Sequence, residues 1–408
     1  MPGSLRPLRR AAARLAAVAF VAALALSPAA VHAQTDDLAA VLSKQQNVST
    51  YTSLLSKYPK IFENLPSSGV TILVPTDAAF VKFQSWDRGD AAYAEKLLQY
   101  HMLQGKVSIG SIREGSSIFV PTLLTDSKYT NVSGGAEMII NRQRDTSVFI
   151  SGLATRATLV GSPDVPFKGG AVQLIDSVLA MPARFERTAR ESFNGDIDSF
   201  LGALYAAGVL TEFADGANLT VFAPRNAAMA RVGGALQAMS REQLARVLRH
   251  HLVPGRVLHG TDLRNGTEIS PAAGAGAGAL RVTLHNNDIF IGAAKVASTN
   301  FLVANGIVHL LDDVLNPDAA ADARVNVTAE SRPPLFSATG ADAAPTGAGA
   351  VLPFHHRAAV RHRLTSSSSG VAGRVFAARP TGMAGVGVGM GVGLAMGLAG
   401  MEAVGAML

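Results

Sequence analysis

Two histidines stand where acid–base chemistry could be done. His101 ends the stretch "LLQYH" and His251 ends "VLRHH", each after a run with helical spacing. A neutral imidazole can serve as a base near neutral pH. It needs a nucleophile or polarised substrate within reach, and donors for the developing charge. No motif in the chain supplies these: there is no Gly-x-Ser-x-Gly elbow, no His-Glu-x-x-His pair and no Walker loop. The glycine runs "GAGAG" (274–278) and "GVGVGMGVG" (385–393) do not open a helix after a strand, so they read as low complexity. For the acidic pairs Asp36-Asp37 and Asp312-Asp313 the sequence points to no catalytic constellation. His355, His356 and His362 have no carboxylate beside them and read as solvated linker ahead of a weak metal site. The chain has no cysteine, which excludes thiolate and disulfide chemistry. No catalytic residue, metal or cofactor is expected.

The elements around the histidines are more informative. "VTILVP" and "LTVFAP" are apolar, β-branched runs stopped by Pro75 and Pro224, and read as buried strands. After the first, Thr76 or Asp77 could cap a short helix. "DAAYAEKLLQY" and "SREQLARVLRH" carry apolar residues at helical spacing, the second opened by the capping box Ser240/Gln243. Gly105 and Gly255 then turn the chain toward "KVSI" and "RVLH", read as strand starts. "GGAVQLIDSVL" (169–179) and "NGIVHLLDDVL" (305–315) read as closing strands. Their glycine would supply a turn, and Asp176 and Asp312 would bridge backbone at the polar edge. Helices come early and strands dominate later, an α+β pattern.

The order of these blocks recurs. Pro75 pairs with Pro224, His101 with His251 and Asp176 with Asp312, at offsets of 149, 150 and 136 residues. A repeat that long is a duplicated domain, not a solenoid unit. A strand–Pro–Thr/Asn-x-Ala block, a Tyr100-His101 pair closing a helix, and an Asn-Gly-x-x-His-x-x-Asp-x-Val-Leu strand together resemble the fasciclin domain. The resemblance covers about 36–182 and 190–317. The second copy has His250 in place of the tyrosine, and the first has Gly169 and Gln173 where the second has Asn305 and His309. The resemblance implies two tandem β-wedges with packed helices, buried structural histidines, and adhesion in place of catalysis. Pro163-Asp164-Val165 resembles a receptor-contact segment of adhesive members, with Asn300 at the matching place in the second copy. The residues alone read as a plain loop.

The ends carry the targeting signals. A basic start, an apolar run from Leu15 to Leu26 and "VHA" make residues 1–33 a secretory signal peptide, cut before Gln34. Sequons at Asn47, Asn131, Asn218, Asn265 and Asn326 fit passage through the secretory pathway and N-glycosylation. Domains are expected at 34–186 and 187–317, split by the polar linker "ARFERTARES". A disordered stalk follows at 318–369, then a Gly-rich apolar tail at 370–408. Ser367, Ser368, Ser369 and Gly370, a spacer and the tail fit a glycosylphosphatidylinositol attachment signal. A retained helix and a disordered tail are the rival readings. The formal charge of +6 sits in the two ends, and 34–317 holds 25 basic and 25 acidic residues, so nucleic acid is not an expected partner.

The expectation is therefore a secreted glycoprotein held at the cell surface by lipid, contacting surface or matrix proteins and glycans, in the manner of fungal surface proteins of that family. A secreted hydrolase with an unseen site, and a vacuole-membrane location, remain the alternatives.

Overall fold

The computed structural model describes residues 37–319 apart from 64, 84–89 and 275, together with 336 and 352–354. The leader at 1–33, the sequon at Asn326, the His355/His356/His362 group, the attachment candidates Ser367 to Gly370 and the apolar tail lie outside the described residues. Among the described residues, no helix is long and apolar enough to cross a membrane.

The first repeat opens with helices α1 (Leu38–Ser43) and α2 (Ser49–Lys57). Strand β1 (Val70–Pro75), helices α3 (Asp77–Lys82) and α4 (Ala91–Tyr100), and β2 (Met102–Gln104) follow. The copy closes with β3 (Ser117–Pro121), β4 (Glu137–Arg142), β5 (Ser147–Ile150), β6 (Arg156–Phe167) and β7 (Gly170–Ile175). The second repeat runs α5 (Phe185–Ser192), α6 (Asp198–Ala207), α7 (Leu210–Asp215), β8 (Leu219–Pro224), α8 (Asn226–Arg231), α9 (Gly233–Ala238) and α10 (Arg241–Arg249). Its remaining strands are β9 (Leu252–Val253), β10 (Glu268–Ile269), β11 (Leu280–His285), β12 (Asp288–Ile291), β13 (Ala294–Val303) and β14 (Gly306–Leu311).

Each repeat forms one seven-stranded sheet of the same topology. The orders are β2-β1-β7-β6-β5-β4-β3 and β10-β11-β12-β13-β14-β8-β9, so each strand of one sheet has its counterpart in the other. The first and last strands of each copy lie side by side and parallel: β1 against β7, β8 against β14. Both members of these pairs are buried along nearly their whole length, as the continuous apolar runs require. The recurring glycine of the closing phrase is explained here. Gly170 sits opposite Val70 and Gly306 opposite Leu219, and a methyl at either would overlap the facing carbonyl. Close backbone approach, and not only a turn, demands glycine.

Four local expectations change. The residues after Gly105 and Gly255 are not strands; the short strands β2 and β9 precede those glycines, and a 3₁₀ turn follows each (Ile109–Ser111, Gly260–Asp262). Thr76 holds the N-cap position of α3 with no side-chain bond, while Asp77 caps a different helix. It accepts from the Ser49 and Thr50 amides at the start of α2, at 3.2 and 2.7 Å. "ARFERTARES" is not a free linker: it forms α5, whose Phe185, Thr188 and Ala189 are buried, with Phe185 and Ala189 in the core of the second repeat. The spacing 185, 188, 189 is one helical face, which the polar average hides. The stretch read as a stalk also contributes to that core. Phe336 is buried in it and Phe354 packs on it, with Gly202 of α6 and Gly233 of α9 leaving room for Phe354 and Pro353.

Candidate functional site

The histidines come first, because they carry the only chemistry the motifs offered. Both are fully buried and both do the same thing. The His101 Nδ1–H donates to the Leu97 carbonyl at 2.8 Å, and Nε2 accepts the Leu179 amide at 3.1 Å. The His251 Nδ1–H donates to Val247 at 3.0 Å, and Nε2 accepts Leu315 at 2.9 Å. A carbonyl only accepts and an amide only donates, so the partners fix the tautomer. The imidazole ties the last helical turn to the final leucine of the closing phrase. Burial pushes the His101 pKa down to about 4 and that of His251 to about 3, so both stay neutral. Neither ring has a nitrogen left for a substrate. A cavity of about 10 Å³ beside His101 and Tyr51 holds at most one water.

The remaining motif residues are also turned inward. The Tyr100 hydroxyl donates to the Glu137 carbonyl at 3.0 Å. Asp176 accepts the Thr158 amide at 2.7 Å, and Asp312 accepts the Lys295 amide at 2.9 Å. Pro75 and Pro224 end their strands at matching registers against Ile175 and Leu311.

Asp164 does not lie in a loop. It sits within β6, where the register shifts between Val160 and Val165, at φ 59°. Its carboxylate accepts from the Ile109 and Gly110 amides at 2.9 and 3.1 Å, from the Ser108 hydroxyl at 2.9 Å and from Gln173 Nε2 at 2.6 Å. Burial pushes its pKa up, but these donors outweigh it and hold the group below the usual carboxylate range. Asn300, at φ 69° in a register shift of β13, accepts the Gly260 amide at 2.8 Å. Both residues pin the 3₁₀ turn to the sheet, and both use a left-handed conformation that Asn and Asp tolerate. The Gln173/His309 difference follows from this: Gln173 completes the Asp164 pin, while His309 donates to the Leu258 carbonyl at 2.8 Å.

A constellation that the motifs did not signal lies where the two repeats meet. Strand β4 alternates: Met138 and Ile140 face their own core, and Ile139 faces the other repeat. Ile139 packs with Leu302 and Ile307 of the second repeat, flanked by Phe119, Ile150 and Val257. Beside this patch the His259 ring stacks on Phe119, with centroids 3.8 Å apart. His259 Nε2 lies 2.8 Å from Glu137 of the first repeat, and Nδ1 lies 3.1 Å from Asp262 of its own. Burial lowers the His259 pKa, but the Glu137 hydrogen bond and charge and the Asp262 charge outweigh it, so the group sits above the ordinary value. Elsewhere in the joint the Asn131 backbone amide donates to the Ala304 carbonyl at 2.7 Å. The Ser133 amide donates to Asn218 Oδ1 at 2.7 Å, and Asn218 Nδ2 donates to the Ser133 hydroxyl at 2.9 Å. Burying an aliphatic side chain contributes about 1.5–3 kcal/mol, against roughly 1 kcal/mol or less for a partly exposed ion pair. The apolar patch therefore holds the joint, and the polar groups set its geometry.

An open groove of about 480 Å³ runs beside the joint, lined by Arg256, Val257, Leu258, Asp262, Arg264 and Thr267. Among the described residues, no cluster of His, Asp and Glu has the arrangement of a metal centre. Two sequon asparagines, Asn47 and Asn265, are exposed, whereas Asn131 and Asn218 are built into the joint.

A model described as the fasciclin domain matches residues 46–182 and 195–317. A fasciclin-like arabinogalactan protein of Arthroderma benhamiae is 28% identical over 303 residues, which cover 72% of this chain and 70% of that one. Another, of Phaeosphaeria nodorum, is 30% identical over 293 residues, covering 69% of this chain and 88% of the relative. A solved domain pair from the insect cell adhesion molecule fasciclin I covers 66% of this chain at 16% identity, with a TM-score of 0.32.

Proposed function

Because this chain belongs to the fasciclin family, with two tandem domains, we propose that it is a non-catalytic adhesion protein of the cell surface, contacting surface proteins and wall or matrix glycans. One observation carries the reading: among the described residues, the histidines and carboxylates of the repeated motifs are spent on holding backbone. His101, His251, Asp164, Asp176 and Asp312 all face backbone amides or carbonyls at 2.7–3.1 Å. A constellation for turnover needs a base with a free lone pair and a donor set aimed at empty space.

The fungal relatives are named as arabinogalactan proteins, which supports an extracellular or surface location for this chain. We propose that the leader is cut before Gln34 and that the chain is glycosylated. We place a lipid anchor at Ser367 to Gly370. Two domains presented together gain avidity that one lacks. Beads coated with the purified chain should cluster with cells or bind wall fragments, and a panel of ester, glycoside and peptide substrates should remain unturned. Specific turnover that survives further purification, with no adhesion, would sink the reading. Phosphatidylinositol-specific lipase should release the protein from membranes; a tag after Leu408 persisting on the mature surface protein would refute the anchor.

A further inference from the structure

The polar half of the domain joint has the composition of a switch. His259 touches both domains through a titratable ring: Phe119 and Glu137 lie on one side, Asp262 and its own backbone on the other. The ring is mostly shielded, as is Glu137, with side-chain exposures of 17% each. A neutral imidazole has one N–H, so it can donate to only one of the two carboxylates. The protonated ring donates to both at once and carries the charge that offsets them. The charged groups around it come from several elements. Glu137 faces it from β4 and Asp262 from the 3₁₀ turn. His309 approaches from β14 and stays neutral through burial, while Arg256 and Arg264 line the groove on the Asp262 side. When the proton leaves, the ring keeps one N–H for two carboxylates: Glu137 is mostly shielded, whereas Asp262 is 43% exposed and also accepts the His259 backbone amide at 3.0 Å, so the loss falls on the charge that ties Glu137 to the ring.

We propose that the joint between the two fasciclin domains is a proton-operated clamp, rigid when the His259 ring bridges Glu137 and Asp262 and loosened when it can hold only one of them. The apolar patch of Ile139, Leu302 and Ile307 keeps the domains in contact in both states, so the proton alters the freedom of the joint and not the association itself. The sign follows from the raised value. A group whose folded pKa lies above its unfolded one stabilises fully below the unfolded value, here 6.5, and loses that contribution as pH rises through the folded value. The clamp is therefore closed below the ordinary imidazole value and opens as pH rises through the raised folded value. Its consequence for a two-domain surface protein is that the relative aim of its two faces depends on external pH.

The absence of native cysteine makes the test direct. Val81 and Leu284 are exposed and lie in different domains. The Val81→Cys, Leu284→Cys chain, spin-labelled at both sites, reports the interdomain distance distribution at about pH 5.5 and about pH 8.5. The distribution should be narrow at the lower pH and broaden at the higher. In the same background, His259→Gln and Glu137→Gln should each abolish the pH response. Glu137→Gln preserves shape and hydrogen bonding, so it remains informative if the histidine variant folds poorly. A pH-independent width in the parent, or a response surviving in Glu137→Gln, overturns the clamp. The readout is domain motion, so its failure leaves the adhesion reading untouched, and the converse also holds.

Discussion

At the scale of single residues, buried histidine ties stability to pH. His101 and His251 are held neutral, with folded values near 4 and 3 against 6.5 for the free group. A depressed value on a base means its stabilising contribution is complete above 6.5 and is lost as pH falls toward the folded value. For His101 the shift corresponds to about 3 kcal/mol across that window. The melting temperature of the chain should therefore fall steeply between pH 6.5 and 4, and the acid limb should be shallower in His101→Gln. An unchanged limb would show that the ring is not the buried base described here. His101→Ala should destabilise the first domain by about 1–3 kcal/mol, because it orphans the Leu97 carbonyl and the Leu179 amide. His259 titrates with the opposite sign, which separates the joint from the cores in one pH series. Much of this was legible in the sequence: a histidine at each helix end, repeated at an offset of 150, reads as structural. What was not legible is the partner, since Leu179 lies 78 positions away from His101.

At the scale of elements, the two copies can be used to check one another. Asp164 and Asn300 are separated by the same 136 residues as Asp176 and Asp312, and both pin a 3₁₀ turn from a bulged strand. The proline-flanked segment reads as a loop because prolines at 163 and 166 discourage a strand; the register shift in β6 accommodates them. Asp164→Ala should thus cost the first domain about 1–3 kcal/mol by freeing two amides and Gln173. Asp164→Asn should cost distinctly less, because the second copy already uses asparagine at the same left-handed position. Chemical denaturation of both variants measures this; equal losses would remove the pin argument. A loss of adhesion in Asp164→Asn without loss of stability would return the residue to the contact surface. The helix α5 teaches a related lesson. Its charges suggested a linker, yet Phe185 followed by Thr188 and Ala189 marks a buried face, and the second core begins there.

At the scale of the whole molecule, the duplication, the α+β class and the family were readable from ordered motifs, while the strand order was not. Nor was the joint. Glu137 and His259 are 122 residues apart, and only His259 and Asp262 are neighbours in sequence. Contacts between repeats leave no periodicity, because each strand involved already satisfies its own domain with alternate residues. The joint also sorts the sequons. Peptide mapping after glycan removal should find Asn47 and Asn265 modified and Asn131 and Asn218 bare, since the latter two amides bond across the interface. Full occupancy at Asn218 would mean the joint does not form as described. The most direct test of the central claim, a non-catalytic chain that binds surfaces through matched contacts, is a binding isotherm of the purified chain on isolated cell-wall material at low and high salt. The region 34–317 has equal numbers of acidic and basic residues, so no long-range field assists capture. Saturable binding with an affinity that changes little with salt is the predicted result; no binding, or binding abolished by moderate salt, would contradict it.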